Sequence, residues 1–194
     1  MEILFIDCCI RREESRTRML CDFFLSEMKK NHPGVHISHL SLQDEDLQYI
    51  NEERLRERDK LARQQKWEEP VFTYAKQFAN ADRIVVGAPY WDLSFPSLLK
   101  IYLENIFVCN ITFFYDGPKS VGKCKAKSLT YIQSAGGLLS EQDPGALYMK
   151  DVCLMLGISD FQWVFADGLD IIELPQGPRM ELAMDRLTEL AQKG

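Results

Sequence analysis

The residues from Asp82 to Phe107 constrain the fold most. Asp82-Arg-Ile-Val-Val-Gly-Ala88 is a short apolar run with a polar start, halted by Pro89, and it reads as a central strand of a parallel sheet. The break Pro89-Tyr-Trp-Asp-Leu-Ser-Phe-Pro96 follows. From Ser97 to Phe107, Leu98, Leu99, Ile101, Tyr102, Leu103, Ile106 and Phe107 then recur at roughly helical spacing, so this helix packs back onto the sheet. Ligands of open α/β sheets bind beyond the carboxyl ends of strands, which makes the break the first candidate for a site. Its adjacent aromatics Tyr90 and Trp91 agree, being awkward to leave in water unless something flat packs on them.

The same alternation runs in both directions. Met1 to Asp7 is a short apolar strand, and Cys8 to Arg18 turns into a helix carrying Met19, Leu20, Phe23, Phe24, Leu25 and Met28 near one face. His32-Pro-Gly34 ends it, and Val35 to Leu40 alternates as a second strand should. Asn51 to Glu69 is a highly charged helical stretch of mixed sign, read as a solvated face or as a lid or partner-contacting arm anchored by Trp67. Pro70 starts another helix that delivers the chain to the central strand. Cys109 to Pro118 is an aromatic connector, packed either within the chain or against another subunit, and Lys119 to Lys127 is a basic turn. Ser128 to Gln133 is a fourth strand. Asp143-Pro144 opens a helix that Gly157 closes, Asp160 to Phe165 is a fifth strand, and Gly177-Pro-Arg179 opens a last amphipathic helix. Five strands alternating with helices predict an α/β doubly wound parallel sheet in the order 2-1-3-4-5, with helices on both faces. At 194 residues and 46% hydrophobic content the chain supports one core, hence a single domain over 1–194.

Composition narrows the function classes. A net charge of -6 argues against a general nucleic-acid binder, whose affinity would come from a basic face. The six cysteines, at 8, 9, 21, 109, 124 and 153, form no pair of CxxC spacings, and His36 and His39 point to opposite faces of a strand, so no metal site is expected. With no signal-peptide pattern and no apolar run long enough to span a bilayer, the expectation is reduced thiols in a cytoplasmic protein.

In the expected strand order the loops after strands one, three and four lie side by side. The first carries Ser15-Arg-Thr17 where a helix begins, which serves as capping or, with Arg11, Arg12, Arg16 and Arg18 nearby, as a phosphate seat. Glu13 and Glu14 would oppose an anion if they faced it. The third, Ser134-Ala-Gly-Gly137, is an ordinary turn or a place where backbone amides approach a ligand closely. A phosphate seat, an aromatic wall and an amide pair suit a ligand with a phosphate at one end and a flat polar ring at the other, such as flavin mononucleotide. No GxGxxG or P-loop pattern competes for the first turn.

The run Gly87 to Lys100, then Phe113-Phe-Tyr-Asp-Gly-Pro118, Gly122-Lys123, Ser134 to Gly137 and Val164-Phe-Ala-Asp-Gly168, in that order along nearly the whole chain, resembles the FMN-dependent NADH-azoreductase and NAD(P)H-quinone reductase family. The resemblance implies a flavodoxin-like fold, a homodimer with two sites at its interface, tightly held FMN, and hydride transfer from NADH or NADPH to quinones, azo dyes or nitroaromatics. Carried over residue by residue, it places Cys9, Ser15, Arg16 and Thr17 at the phosphate. Pro89, Tyr90, Trp91, Asp92 and Leu93 fall at the isoalloxazine, and Ser134, Ala135, Gly136 and Gly137 at the pyrimidine edge. Cys9 stands where the family has serine and Asp92 where it has asparagine. Tyr90 and Trp91, with Phe113 or Phe114 of the other subunit, would wall the acceptor. Flavin N5 would carry the chemistry, assisted by the Gly136 and Gly137 amides, in a ping-pong cycle with no obligatory acid or base side chain. A one-electron flavodoxin-like carrier and a flavin-free interaction module are the alternatives.

Overall fold

The computed structural model describes residues 1–193. Strand β1 (Glu2–Asp7) leads into α1 (Arg16–Asn31), β2 (His36–Ser41), α2 (Glu52–Arg63) and α3 (Thr73–Asn80). After these come β3 (Arg83–Gly87), α4 (Ser97–Ile106), the pair β4 (Phe113–Asp116) and β5 (Lys119–Gly122), β6 (Ser128–Ser134), α5 (Pro144–Leu156), β7 (Asp160–Ala166) and α6 (Gln176–Gln192). The main sheet runs β2-β1-β3-β6-β7 with every pair parallel, which is the expected 2-1-3-4-5 order with β6 and β7 as its fourth and fifth members.

Side-chain alternation on the strands divides the core. Leu4, Ile6, Ile84, Val86, Leu129 and Tyr131 face Phe78 of α3, Leu99, Tyr102, Leu103 and Ile106 of α4, and Met149 and Val152 of α5. Ile3, Phe5, Val85 and Ile132 take the other face, against Leu20, Phe24 and Met28 of α1 and Ala183 and Leu187 of α6. Each fully buried Leu, Ile or Phe contributes about 1.5–3 kcal/mol, so both helical layers are held by their own apolar stripe. The register matters for function: Asp7 lies beside Gly87, and Gly87 beside Ile132, two residues before β6 ends, so β1, β3 and β6 release their loops on one edge.

Three sequence readings change in detail. The connector after α4 and the first half of the basic turn form an antiparallel hairpin, β4 with β5, turning through Gly117 at φ +59°. An unbroken aromatic run hides the strand alternation: Phe113 is buried and packs tilted against Phe107 at 6.1 Å and edge-on to Tyr115 at 5.6 Å, while Tyr115 itself is 61% exposed. The hairpin sits on the end of α5 so closely that a Cβ on Gly122 would lie 2.0 Å from the Gly157 amide nitrogen, and Gly157 has the left-handed φ of +81° that ends a helix. Secondly, α2 stops at Arg63 rather than running to Glu69. Gln65 adopts φ +54° and Lys66 N–H donates back to Leu61 O, after which Trp67 packs edge-on to Phe72 at 5.3 Å. Trp67 is therefore anchored in its own chain. Lastly, α6 begins at Gln176, with Pro175 preceding it.

Candidate active site

Three loops from the aligned strand ends and a fourth after β7 surround one cavity of about 130 Å³ lined by Ile10, Arg11, Glu14, Ser15, Arg16, Pro89, Tyr90, Trp91, Ser134, Gly136 and Asp170. Roomier hollows exist, including one of about 570 Å³ between α2, α4 and α5, but this one gathers Arg11, Arg16, Ser15 and Ser134 among the loops at four strand ends.

At the α1 end, Ser15 is the helix cap, its Oγ accepting from Arg18 N–H at 3.3 Å. Among the described residues the Arg16 and Thr17 amides donate to no acceptor, as the first amides of a helix must unless something outside it accepts. The arginines divide. Arg11 and Arg16 line the cavity, whereas Arg12 turns away to Asp44 at 2.6 Å and Arg18 to the buried Asp7 at 2.7 Å. Asp7 also accepts from Cys9 N–H at 2.9 Å and from His39 Nε2 at 3.1 Å, so this carboxylate ties the loop after β1 to α1 and β2. Glu14 lines the cavity and opposes an anion there; Glu13 does not.

Two residues expected at the phosphate are placed otherwise. Cys9 is 1% exposed, its thiol donating to Gly87 O at 3.6 Å and its amide engaged by Asp7, so neither group is offered to the cavity. A large, weakly donating sulfur fits under the loop better than on it. Thr17 is fully buried, and its hydroxyl pairs with that of Ser134 at 2.7 Å, linking the start of α1 to the end of β6. Burial pushes the neighbouring Cys8 thiol up to about 12, so Cys8 is a neutral thiol at neutral pH.

The loop after β3 is a tight turn. Trp91 and Ser94 exchange both backbone hydrogen bonds, at 3.1 and 2.9 Å, while Asp92 and Leu93 take φ of +48° and +69°. Two consecutive left-handed residues are what a two-residue hairpin turn of this hand requires, and neither is glycine, so the turn is strained. It leaves Trp91 41% exposed and puts Asp92 and Leu93 at the tip, outside the cavity lining, with amides that donate to nothing among the described residues. The back of the turn is held by Gln133, which is fully buried. Its Nε2 donates to Tyr131 Oη at 2.7 Å and Ser94 O at 3.4 Å, and its Oε1 accepts from Trp163 Nε1 at 3.1 Å.

The loop after β6 brings Ser134 and Gly136 to the cavity. Ala135 is buried, with its amide bound to Ala166 O, whereas the Gly136 and Gly137 amides donate to no residue among those described. This loop is zipped to the one after β7: Gly168, Leu169 and Asp170 N–H donate to Gly137, Ala135 and Gly136 O at 2.8, 3.1 and 3.0 Å. The pairing brings Asp170 into the lining. The structure thus gathers Ser15, Arg16, Pro89, Tyr90, Trp91, Ser134 and Gly136, and leaves Cys9, Thr17, Asp92, Leu93, Ala135 and Gly137 behind or beside them. Phe113 is buried in its own chain and Phe114 is half-buried, so the exposed aromatic of the hairpin is Tyr115.

The donor set fits a flavin nucleotide: two guanidinium groups, a hydroxyl and free helix amides at one end, two aromatic rings in the middle, and free glycine amides opposite. Fold and site define a flavodoxin-like protein, and the family model described as a flavodoxin-like fold matches residues 1–190, so the chain belongs to that class. An FMN-dependent NADH:quinone oxidoreductase of Clostridium perfringens is 32% identical over 195 residues, covering 99% of this chain and 98% of the relative. A second protein of that description, from Clostridium acetobutylicum, is 35% identical over 88% of both. A solved FMN-dependent NADH-azoreductase of Bacillus anthracis, in complex with FMN, is 25% identical, with a TM-score of 0.84 over 99% of this chain and 97% of its own. Within the flavodoxin-like class, the chain belongs to the family of these FMN-dependent NADH:quinone oxidoreductases.

Proposed function

We propose that this chain is, as a single domain, an FMN-dependent NAD(P)H oxidoreductase that reduces quinones, azo compounds or nitroaromatics by two-electron ping-pong transfer. The observation that carries the reading is the convergence, on one cavity, of cations and a capped helix start, an aromatic turn and a glycine loop with free amides. Near full-length similarity to relatives of that activity supports it.

Bound FMN would supply the hydride chemistry between nicotinamide and acceptor. Arg11, Arg16, the Ser15 hydroxyl and the Arg16 amide at the start of α1 would hold its phosphate. Tyr90 and Trp91 offer apolar surface to the ring. The Gly136 and Gly137 amides hold negative charge at the pyrimidine edge, acting as prepaid dipoles that need no reorganisation during reaction. Donor and acceptor would share the space beside Tyr90 and Trp91, so one would leave before the other enters, which is the basis of the ping-pong reading.

The active form is a homodimer in the cytoplasm. A hollow of about 730 Å³ beyond Trp91, lined by Phe95, Pro96, Lys100 and Tyr148 among others, meets the 570 Å³ one at Lys100 and Tyr148, and Leu147 and Leu154 lie exposed on the same helix. A second copy covering this apolar face would bring Tyr115, the exposed aromatic of the hairpin, to wall the acceptor. Among the described residues no helix is long and apolar enough to cross a membrane, and the described cysteines are all free thiols.

The test is the visible spectrum of the purified protein with FMN under anaerobic conditions, followed by NADH and then a benzoquinone. Flavin bands should bleach with NADH and return with quinone. FMN that binds but is reduced by neither NADH nor NADPH, added in a parallel titration, would move the chain to the electron-carrier class.

A further inference from the structure

Asp170 has no part in the reading so far, yet it lines the same cavity. Its carboxylate accepts from Arg16 Nη1 at 2.8 Å, and the same nitrogen donates to Leu169 O at 3.1 Å, so the cation best placed for a ligand phosphate is turned toward the loop after β7. The carboxylate rests on the glycine loop: a Cβ on Gly136 would lie 2.1 Å from Asp170 Oδ2. The backbone pairing of residues 168–170 with 135–137 fixes it there. A hydrogen bond from Arg16, with the fields of Arg16 and Arg11, holds the Asp170 carboxyl below the usual carboxylate range, so it is an anion at neutral pH.

A carboxylate and a phosphomonoester compete for a guanidinium by the same charge-assisted hydrogen bonds. We infer that Asp170 is a specificity-determining residue of the flavin site, an internal counter-anion on Arg16 that an incoming phosphate must displace or share, and that it sets how much the phosphate contributes to flavin binding. The inference rests on the FMN reading above. Glu14, the other carboxylate of the lining, forms no ion pair among the described residues and therefore separates the effect of the Arg16 contact from that of charge alone.

The full-length, flavin-free protein is titrated with FMN and with riboflavin, which lacks the phosphate, following flavin fluorescence. Asp170→Asn is expected to bind FMN about three- to tenfold tighter, the range expected of one freed charged hydrogen bond on a partly exposed site. Riboflavin affinity should stay within about twofold. In the Arg16→Gln background the same substitution should change FMN affinity by less than about twofold, because interacting groups fail to add. Glu14→Gln should tighten FMN equally with and without Arg16. FMN binding by D170N that is unchanged or weaker, an equal shift for both flavins, or a full gain persisting without Arg16 would overturn the inference while the FMN reading stands. A wild-type chain that binds neither flavin would sink both.

Discussion

Gln133 and Tyr102 are both buried polar residues of the core, and they lead to opposite expectations. Gln133 satisfies three partners at once, including a carbonyl of the aromatic turn. Gln133→Leu strands the Trp163 N–H and the Tyr131 hydroxyl, at a cost of about 2–3 kcal/mol. Urea unfolding should register that loss, and Trp163 fluorescence in the folded state should shift with it; a variant as stable as wild type would show that the network carries no stability. Tyr102 is also fully buried, but its hydroxyl has no hydrogen-bond partner among the described residues. Removing an unsatisfied polar group leaves the packing intact, so Tyr102→Phe should be neutral or stabilising by up to about 1 kcal/mol, read from the same unfolding midpoint.

The turn between β3 and α4 is the element under most strain. Each non-glycine residue in the left-handed region costs roughly 1–2 kcal/mol, and Asp92 and Leu93 are both there. Aspartate tolerates the conformation through its short polar side chain; leucine, 71% exposed, has no polar side chain with which to do so. Leu93→Gly should raise the stability of the flavin-free protein by about 0.5–1 kcal/mol, the relief exceeding the entropy glycine adds to the unfolded chain. A drop in the urea midpoint would mean that Leu93 is supported by packing. If the turn is held strained for function, the same variant should weaken FMN binding while gaining stability, since a looser tip no longer fixes Trp91.

For the molecule as a whole, acid is the expected weakness. Glu2, held low by the Ser38 hydroxyl and then His36, Asp44 by Arg12 and Ser41, and Asp82 by Lys125 and the Glu2 amide, join Asp170 as carboxyls below their usual range. A carboxyl whose pKa folding lowers binds its proton more readily in the unfolded chain. Its contribution is therefore complete above the ordinary value near 4 and drains away as pH falls through the lower native one. Asp143, raised by burial, has the opposite slope, but it is one against four. Because these carboxyls are at least partly exposed and screened by water, the effect is modest: urea midpoints should be level from about pH 7 to 5 and decline toward pH 3, and Asp82→Asn should flatten that decline; a midpoint flat to pH 3 would contradict the assignment.

The sheet order and the two faces of the core were legible in the residues because strand periodicity and apolar helical stripes are local patterns set by burial. The strand-end rule then located three of the four site loops. The β4–β5 hairpin was not legible, since an unbroken aromatic run carries no alternation to read. The inward turn of Cys9 and the pairing of Thr17 with Ser134 depend on which neighbour lies within hydrogen-bond reach, a distance no spacing encodes. Asp170 entered the site only because residues 168–170 pair with 135–137. The sequence by itself determined the layers, the order of the strands and the residue types offered at their ends. Tertiary structure alone decided which of those side chains face the cavity and which charges Arg16 and Arg18 meet, because such contacts arise between segments far apart in the chain.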